Sequence, residues 1–284
     1  MRLFGLVFIC FLVCLAQGHA LRSGQYYDCF MFFNELELLK MRFEELDSVV
    51  DHFVLVECAE TQRGNEKPFY FAQNRHLFEK YLHKIIHIIV DERHPEMQLW
   101  ERENFQRSCI ERGLKRCKDN DVIMISDLDE IPRSSIIAEL KSKPGYQRYV
   151  QSSSLALQMS SYFYQLNRQM PTKETWHGGP WVGTTVTSFV QVRRLGVQYF
   201  RDQRYRLHRV LNAGWHFTWM GGKEQVRRKY ASVVEGVARP EDISDELIEM
   251  FMRNHPAVLI DETFPAYVRK NEQYLRSIGY IADY

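Results

Sequence analysis

Two aspartates and a glutamate stand within four residues in the run Asp127-Leu128-Asp129-Glu130. Hard divalent cations prefer carboxylate oxygens, and in a tight turn Asp127 and Asp129 can approach one ion while Leu128 points into the core. Carboxylates this close repel each other unless a cation or a proton intervenes, so their crowding favours a bound ion. A cation held here can neutralise the charge of a departing diphosphate. The alternative is a solvated turn, which the spacing alone does not exclude.

His216 lies between Trp215 and Phe217 and shortly precedes a Gly-Gly pair. Neutral imidazole binds transition metals and protonated imidazole binds phosphate, so a functional role fits either protonation state. The alternative is a hydrogen-bonded core histidine. We therefore treat His216 as a third candidate metal ligand beside Asp127 and Asp129.

The elements that position these side chains follow from the pattern of apolar residues. Short β-rich runs alternate with helical stretches from Tyr26 to about Glu130, which is typical of parallel strands joined by crossover helices. The last strand of this part runs directly into the acidic turn. The predicted strands are 27–33, 49–57, 85–90 and 122–126, and the predicted helices are 35–46, 69–82 and 100–115.

After about Lys143 the pattern changes to aromatic and Gly-rich segments that resemble strands, at 149–166 and 181–192, and helical segments close the chain. No internal repeat or long linker separates the two halves. We therefore predict one α/β domain over residues 21–284, with a mainly parallel central sheet flanked by helices.

Ligands of open α/β sheets bind at the carboxyl ends of the strands. Asn34, Glu57 and Asp127 are therefore expected to lie together at that edge of the sheet. Asn34 and Glu35 follow the first strand, while Glu57 ends the second and Thr61 lies in the loop after it. Polar groups in these places can bind the ribose or base of a nucleoside. The alternatives are a helix cap for Asn34 and a loop salt bridge for Glu57.

Arg102 and Arg107 lie on the predicted helix before the acidic turn, and Gln106 is four residues after Arg102, on the same face. A guanidinium group can form a bidentate contact with a phosphate, or with the carboxylate of Asp127 or Glu130. The alternative is an ion pair that holds the helix against the sheet edge.

The 284 residues are 45% hydrophobic and 26% charged, with 37 Lys and Arg against 36 Asp and Glu. This is a globular composition with enough chain for a large core. Because the charges nearly balance, the protein has no strong positive electrostatic field to attract nucleic acid, and nucleic acid is not expected as a partner. The cysteines show no C-x-x-C spacing, so no zinc or thioredoxin-type centre is expected. Cys109 and Cys117 fall on one predicted helix, too far apart along its axis to form a disulfide.

Residues 1–20 differ from the rest of the chain. Arg2 is their one charged side chain, Leu3 to Leu15 is almost wholly apolar, and small residues follow at Gly18 and Ala20. This is the pattern of a signal peptide. The apolar run is about 13 residues, shorter than the roughly 20 that span a bilayer, so a signal anchor is the second interpretation and the only membrane contact expected. The expected location is the ER or Golgi lumen, the cell exterior, or the periplasm of a bacterium.

A series of separate motifs runs in order over roughly residues 26–222. The motifs are Phe32-Phe33-Asn34-Glu35-Leu36, Phe53-Val54-Leu55-Val56-Glu57 with Thr61 and Gly64, Lys67-Pro68, Trp100-Glu101-Arg102-Glu103 with Gln106-Arg107, Ser126-Asp127-Leu128-Asp129-Glu130-Ile131-Pro132, and Gly214-Trp215-His216. Together they resemble glycosyltransferase family 17. The resemblance implies a GT-A-like nucleotide-sugar-binding fold, UDP-GlcNAc as donor, a metal such as Mn²⁺ at the D-x-D motif (Mg²⁺ being the other choice), and inversion at the anomeric carbon.

That family includes the transferase that adds the bisecting GlcNAc to N-glycans. The resemblance therefore implies transfer of GlcNAc to a mannose-containing glycan or glycoprotein. The alternatives are a glycosyltransferase with another acceptor, a metal-dependent phosphohydrolase or nucleotidyltransferase with the same acidic turn, and a glycan-binding protein without catalysis.

An inverting transfer needs a general base to take the proton from the acceptor hydroxyl. We single out Glu174 and Asp202, which both lie in the acceptor-side half of the chain. Asp129 and Glu130 of the acidic turn are the other candidate catalytic residues.

Overall fold

The computed structural model describes residues 24–171, 179–234 and 243–283. The expected signal segment, residues 1–20, and the candidate base Glu174 lie outside these ranges. Within them, no helix has the length and apolar character needed to cross a bilayer.

The described residues form a sheet of nine strands, whose spatial order is β3-β2-β1-β4-β7-β6-β9-β5, with β8 beside β6. The strands are β1 (Tyr26–Phe32), β2 (His52–Cys58), β3 (Ile85–Val90), β4 (Val122–Asp127), β5 (Glu130–Pro132), β6 (Leu155–Phe163), β7 (Trp181–Ser188), β8 (His208–Val210) and β9 (Gly214–Thr218).

Helices connect and cover the strands. The α-helices are α1 (Leu36–Leu46), α2 (Tyr70–Gln73), α3 (Leu99–Ser108), α4 (Ser134–Ser142), α5 (Pro144–Ser152), α6 (Phe189–Leu195), α7 (Val197–Gln203), α8 (Gly222–Tyr230), α9 (Asp245–Asn254), α10 (Ala266–Lys270) and α11 (Glu272–Ser277). Three 3₁₀ helices lie at Arg75–Tyr81, Cys109–Gly113 and Arg204–Arg206.

The first four strands of the chain are parallel, in the order β3-β2-β1-β4. The sheet then continues with β7 antiparallel to β4 and β6 antiparallel to β7, while β9 runs parallel to β6. This confirms the predicted α/β fold and its parallel sheet flanked by helices. The predicted bounds of β3 are those observed, and the other three strands of the parallel part differ from prediction by one to three residues at an end.

Two predicted helices are shorter than the apolar pattern suggests. The segment predicted as a helix over 100–115 leaves α geometry after Ser108 and continues as a 3₁₀ helix to Gly113. At the end of this segment Gly113 lies so close to the sheet that an added Cβ would be 2.5 Å from a methyl group of Val54. The segment 69–82 is likewise divided between α2 and a 3₁₀ helix, with non-helical backbone angles at Phe78.

Two strand-like segments are also partly helical. Residues 149–152 belong to α5, which begins at Pro144, a residue suited to the first turn because it has no N–H to satisfy. Strand β7 ends at Ser188, and α6 follows without a gap. In both cases apolar residues that were predicted to extend a strand instead lie in a helix, from which they pack against the sheet.

The pleat of the parallel strands divides the core between the two faces of the sheet. Phe30, Leu55 and Met124 contribute to the cluster that packs with α1, while their neighbours in sequence contribute to a second cluster with α6 and α7. This follows from the two-residue period of a strand, because consecutive side chains point to opposite faces. A polar residue at a strand end therefore lies on the same face as the residues two and four positions before it.

The four cysteines of the described chain are free thiols. Cys29, Cys58 and Cys109 are buried in the second cluster, and Cys117 packs against it. Cys117 lies beyond the end of the 3₁₀ helix, so the expectation that it shares a helix with Cys109 is wrong. The 3₁₀ helix ends at Gly113, and a turn at 115–116 follows before Cys117.

Candidate active site

A cavity of about 880 Å³ opens at the carboxyl ends of β1, β2 and β4. Phe33, Cys58 and Asp127 stand at these three strand ends and line it. The volume lies in the range usual for small-molecule sites. The cavity is therefore where the topology of an open α/β sheet places a ligand.

The acidic turn between β4 and β5 is held from the protein interior by Arg42 of α1. Its Nη1 donates to the carbonyl oxygens of Asp127, Leu128 and Glu130, each at 3.0 Å. The same guanidinium pairs with Asp28 of β1 at 2.6 Å, and neither side chain is exposed. One buried cation thus fixes the backbone from which the acidic side chains project.

Asp127 ends β4 with its carboxylate between two arginines. Arg107 of α3 donates to Oδ1 at 3.1 Å, and Arg201 of α7 donates to Oδ2. Burial alone would raise the pKa of Asp127, but Arg201 and Arg107 outweigh it and hold that pKa well below its usual range. Asp127 is therefore ionised and already neutralised by protein cations.

Glu130 is fully buried behind Asp127, at the start of β5. Arg201 donates to both of its carboxylate oxygens at 2.8 Å, and the indole of Trp181 donates to Oε1 at 2.9 Å. Gly183 of β7 packs against the same side chain, since an added Cβ would lie 3.1 Å from the carboxyl carbon. Glu130 thus supports the turn and does not line the cavity.

Asp129 lies at the tip of the turn and faces the cavity. Lys229 of α8 donates to its Oδ2 at 2.8 Å and lies 3.7 Å from the carboxylate of Glu35. Burial would raise the pKa of Asp129, but Lys229 and His216 lower it below the ordinary value.

His216 of β9 pairs across the sheet with Glu130 of β5. Its Nε2 is 3.9 Å from Oδ1 of Asp129, and its ring stacks on Trp181 with centroids 4.1 Å apart. The buried Nδ1 has no hydrogen-bond partner among the described residues. Burial lowers the pKa of His216 although Asp129 opposes the shift, so the ring is neutral near pH 7.

Asp129 and His216 are the pair whose chemistry fits a divalent metal, because they offer a carboxylate and a neutral imidazole to the cavity. No group of three or more His, Cys, Asp or Glu side chains in the described ranges is arranged to hold one. Asp127, predicted as a ligand of the same ion, carries a guanidinium on each of its oxygens. A bound ion would therefore need ligands from the substrate in addition to Asp129 and His216.

The residues predicted near a nucleoside are divided between the cavity and the surrounding structure. Asn34 exchanges side-chain hydrogen bonds with Gln225 of α8 and does not cap α1. Glu35 faces the cavity and accepts from the backbone N–H of Asn34 at 3.1 Å. Thr61 also lines the cavity, and Gln106 lines it while donating to the carbonyl of Glu60 at 3.1 Å.

Two other predicted residues have structural contacts outside the cavity. Glu57 accepts from the backbone N–H of Phe71 at 2.7 Å and from His87 at 3.0 Å. Arg102 pairs with Glu60 at 3.1 Å and also donates to carbonyl oxygens of the neighbouring loops. These are contacts that hold α2 and α3 against the sheet.

Of the two candidate bases, Asp202 lies at the cavity, is exposed, and accepts from Gln198 at 2.8 Å. Glu174 is outside the described residues. The structure thus brings Asp202 to the same cavity as Asp129 and His216.

Arg201 and Lys229 are the site residues that the motifs did not reveal. Their partners Asp127 and Asp129 lie 74 and 100 residues away in sequence, beyond any local spacing rule. A usable signal was present, however, in the arginine-rich stretch 193–209, which needs carboxylate partners wherever its side chains are buried.

The sequence profile described as glycosyltransferase family 17 matches residues 10–221, well over half of the chain. The chain therefore falls within a class of glycosyltransferases. More narrowly, it belongs to glycosyltransferase family 17.

Curated relatives point the same way. The chain is 27% identical over 233 residues to the β-1,4-mannosyl-glycoprotein 4-β-N-acetylglucosaminyltransferase of Homo sapiens, and 26% identical over 233 residues to that of Rattus norvegicus. Both alignments cover 72% of this chain, against 42% and 41% of the relatives. The chain thus spans less than half the length of the relatives that it matches.

Solved structures overlap the chain more loosely. A mannosyltransferase of Pyrobaculum calidifontis, in complex with GDP-Man and Mn²⁺, matches with a TM-score of 0.40 at 11% identity, over 90% of this chain and 71% of that chain. Glucosyl-3-phosphoglycerate synthase of Mycobacterium tuberculosis matches with a TM-score of 0.35 at 11% identity, over 66% and 69%. Overlaps at this level carry no argument about function.

Proposed function

We propose that this glycosyltransferase moves GlcNAc from UDP-GlcNAc, with inversion, to a mannose-containing glycan of a glycoprotein. The observation that carries the proposal is the acidic turn at the mouth of the cavity, surrounded by Arg107, Arg201 and Lys229, in a chain of family 17. The donor and acceptor follow the names of the curated relatives.

The three cations supply what a nucleoside diphosphate requires. Its departure leaves negative charge on the diphosphate, and preorganised cations in a partly dry cavity stabilise that charge better than water does. Arg107 is buried on α3, and Arg201 is nine-tenths buried on α7, so both are oriented before the donor arrives. Lys229, which now donates to Asp129, is close enough to the acidic turn to donate to a phosphate oxygen instead.

We propose that a divalent cation, Mn²⁺ or Mg²⁺, is held by Asp129 and His216. When bound, such an ion would neutralise the diphosphate as a Lewis acid. Asp127 would join these ligands if one of its arginines turned to the donor. Its present contacts make it an anchor for Arg107 and Arg201, which would place those two groups near a cation held by Asp129 and His216.

For the acceptor we propose Asp202 as the general base, because its exposed carboxylate lies in the cavity within reach of solvent. Glu174 is the second proposal. Trp181 also lines the cavity, where its indole can add apolar contact to a sugar ring. The proposed location is the lumen of the secretory pathway, reached through the expected signal segment.

The test is a donor and acceptor screen with the purified protein. Release of UDP is measured for a panel of sugar nucleotides, with Mn²⁺ and with chelator, in the presence and absence of mannose-terminated N-glycans. We expect UDP-GlcNAc to be preferred, acceptor to be required, and chelator to abolish transfer.

Each proposed part has its own contradicting outcome. Preference for another donor would remove the UDP-GlcNAc assignment, and transfer in chelator would remove the metal. Nucleotide hydrolysis that no glycan stimulates would favour a phosphohydrolase, whereas glycan binding that is indifferent to Asp129→Asn would favour a lectin-like protein.

A further inference from the structure

Lys67 is a buried cation on the loop that follows β2. It is 8% exposed and lines the cavity. Its backbone N–H donates to the carbonyl of Ala59 at 2.9 Å, and a bridge between Glu60 and Glu66 closes the loop before it. The loop after β2 therefore holds Lys67 in a defined place.

The ammonium group of Lys67 has few partners for a buried charge. It donates to the carbonyl of Pro68 at 3.4 Å, and it lies 5.7 Å and 5.6 Å from the ring centroids of Phe33 and Tyr70. Among the residues that the structure describes, no carboxylate oxygen is within 4.0 Å of its nitrogen. Burial lowers the pKa of Lys67, and the more distant carboxylates of Glu57 and Glu35 oppose that shift. An ammonium has three N–H donors, and buried charges are usually paired, so these donors call for an acceptor from outside the chain.

The place of Lys67 in the sheet indicates which part of a nucleotide it meets. It lies beside the ends of β1 and β2, and the acidic turn follows β4, on the far side of β1. Two strand spacings of about 4.8 Å separate β2 from β4, which is about 10 Å. A nucleotide whose diphosphate lay at the acidic turn would span this distance and could place its base near Lys67.

We propose that Lys67 recognises the base of the donor nucleotide by donating a hydrogen bond to the O4 carbonyl of uracil, the position at which cytosine carries an amino group. The inference rests on the proposed function, since it assumes a uridine nucleotide. An ammonium group only donates hydrogen bonds, so it can pair with the O4 carbonyl of uracil but not with the amino group of cytosine or adenine, which favours uracil. Phe33, which also lines the cavity, offers an apolar ring face beside the base.

The test compares UDP, CDP and ADP binding by calorimetry in the wild type and in Lys67→Met, which keeps the length and apolar stem of the side chain. We expect Lys67→Met to weaken UDP binding about tenfold or more, as for loss of a charged hydrogen bond, and to change CDP and ADP little. Lys143→Met is the control, because that side chain is 60% exposed and lies between α4 and α5, and it should leave all three unchanged.

Two outcomes would overturn the assignment while leaving the enzyme intact: equal loss for all three nucleotides, which indicates a phosphate contact, or no loss for UDP. Failure of the wild type to bind UDP would instead overturn the proposed donor, and this inference with it. The thermal midpoint of Lys67→Met should not fall, because the substitution removes a poorly paired buried charge. Should that variant misfold, Lys67→Arg is used, which retains the charge and should keep the preference for UDP.

Discussion

Lys229 donates to the carboxylate of Asp129 at 2.8 Å, so the residue best placed to bind a metal already holds an ammonium group. A divalent ion bound as proposed would therefore compete with Lys229 for one carboxylate. That competition would couple metal binding to the position of α8, because a displaced Lys229 would be free to meet the diphosphate.

Lys229→Met is expected to increase the affinity for Mn²⁺ severalfold, because it removes both the competing ammonium and its repulsion of the ion. The same variant should bind UDP more weakly in the absence of metal. Electron paramagnetic resonance titration of Mn²⁺ measures the first effect. The control is Lys223→Met on the same helix, whose partners Asp245 and Glu249 lie away from the acidic turn. Unchanged affinity in Lys229→Met would mean that the metal does not sit on Asp129.

Asp129→Asn and Asp127→Asn should separate the two aspartates by their effects. Asp129→Asn should lose Mn²⁺ affinity at least tenfold and keep most of its stability. Asp127→Asn leaves Arg107 and Arg201 with less counter-charge, so it should lower the free energy of unfolding by several kcal/mol. Urea denaturation and Mn²⁺ titration are measured on both variants. An equal loss of Mn²⁺ affinity in the two would instead support the prediction that Asp127 and Asp129 bind the same ion.

The buried pair of Arg42 and Asp28 should be costly to break. Asp28→Asn leaves a fully buried guanidinium without its charge partner, which we expect to cost about 3–5 kcal/mol of unfolding free energy. Arg193→Ala is the control, since its pair with Asp119 is more than half exposed and should contribute less than about 1 kcal/mol. Chemical denaturation measures both, and a cost for Asp28→Asn as small as that of the control would show that Arg42 does not need this partner.

Gly183 gives a prediction about steric room behind the acidic turn. In Gly183→Ala the new Cβ would lie 2.7 Å from the sulfur of Met159 and 3.1 Å from the carboxyl carbon of Glu130. We expect a loss of about 1–3 kcal/mol in stability, as for overpacking, together with reduced transfer. Gly145→Ala has no atom within 4 Å of the new Cβ, lies in a helix, and should stabilise by up to about 1 kcal/mol. Thermal denaturation of both variants tests the contrast.

The parallel part of the sheet was predictable because its strands are short apolar runs separated by helical periods, and the D-x-D turn was placed because it directly follows one of them. The face of the sheet to which each of these polar side chains points could also be predicted. Counting by twos along β2 places Glu57 on the face of Phe53 and Leu55, under α2, and counting along β4 places Asp127 on the face of Ile123 and Ile125.

What the pattern did not contain was the partner of each carboxylate. The second face carries α3 and α7, and hence Arg107 and Arg201, but the contact of Arg201 with Asp127 depends on how the chain returns after 74 residues. Lys229 reaches Asp129 only because α8 packs over the carboxyl edge. Long-range pairing of this kind follows from tertiary packing and leaves no mark in local spacing.

The thiols of Cys29, Cys58 and Cys109 are enclosed on one side of the sheet, where burial raises the pKa of Cys58 well above the usual value for a thiol. A buried, protonated thiol reacts slowly with alkylating reagents, since the thiolate is the nucleophile. Alkylation of these cysteines therefore reports how often the sheet opens to solvent. The same enclosure would keep them reduced in an oxidising lumen for as long as the strands stay closed.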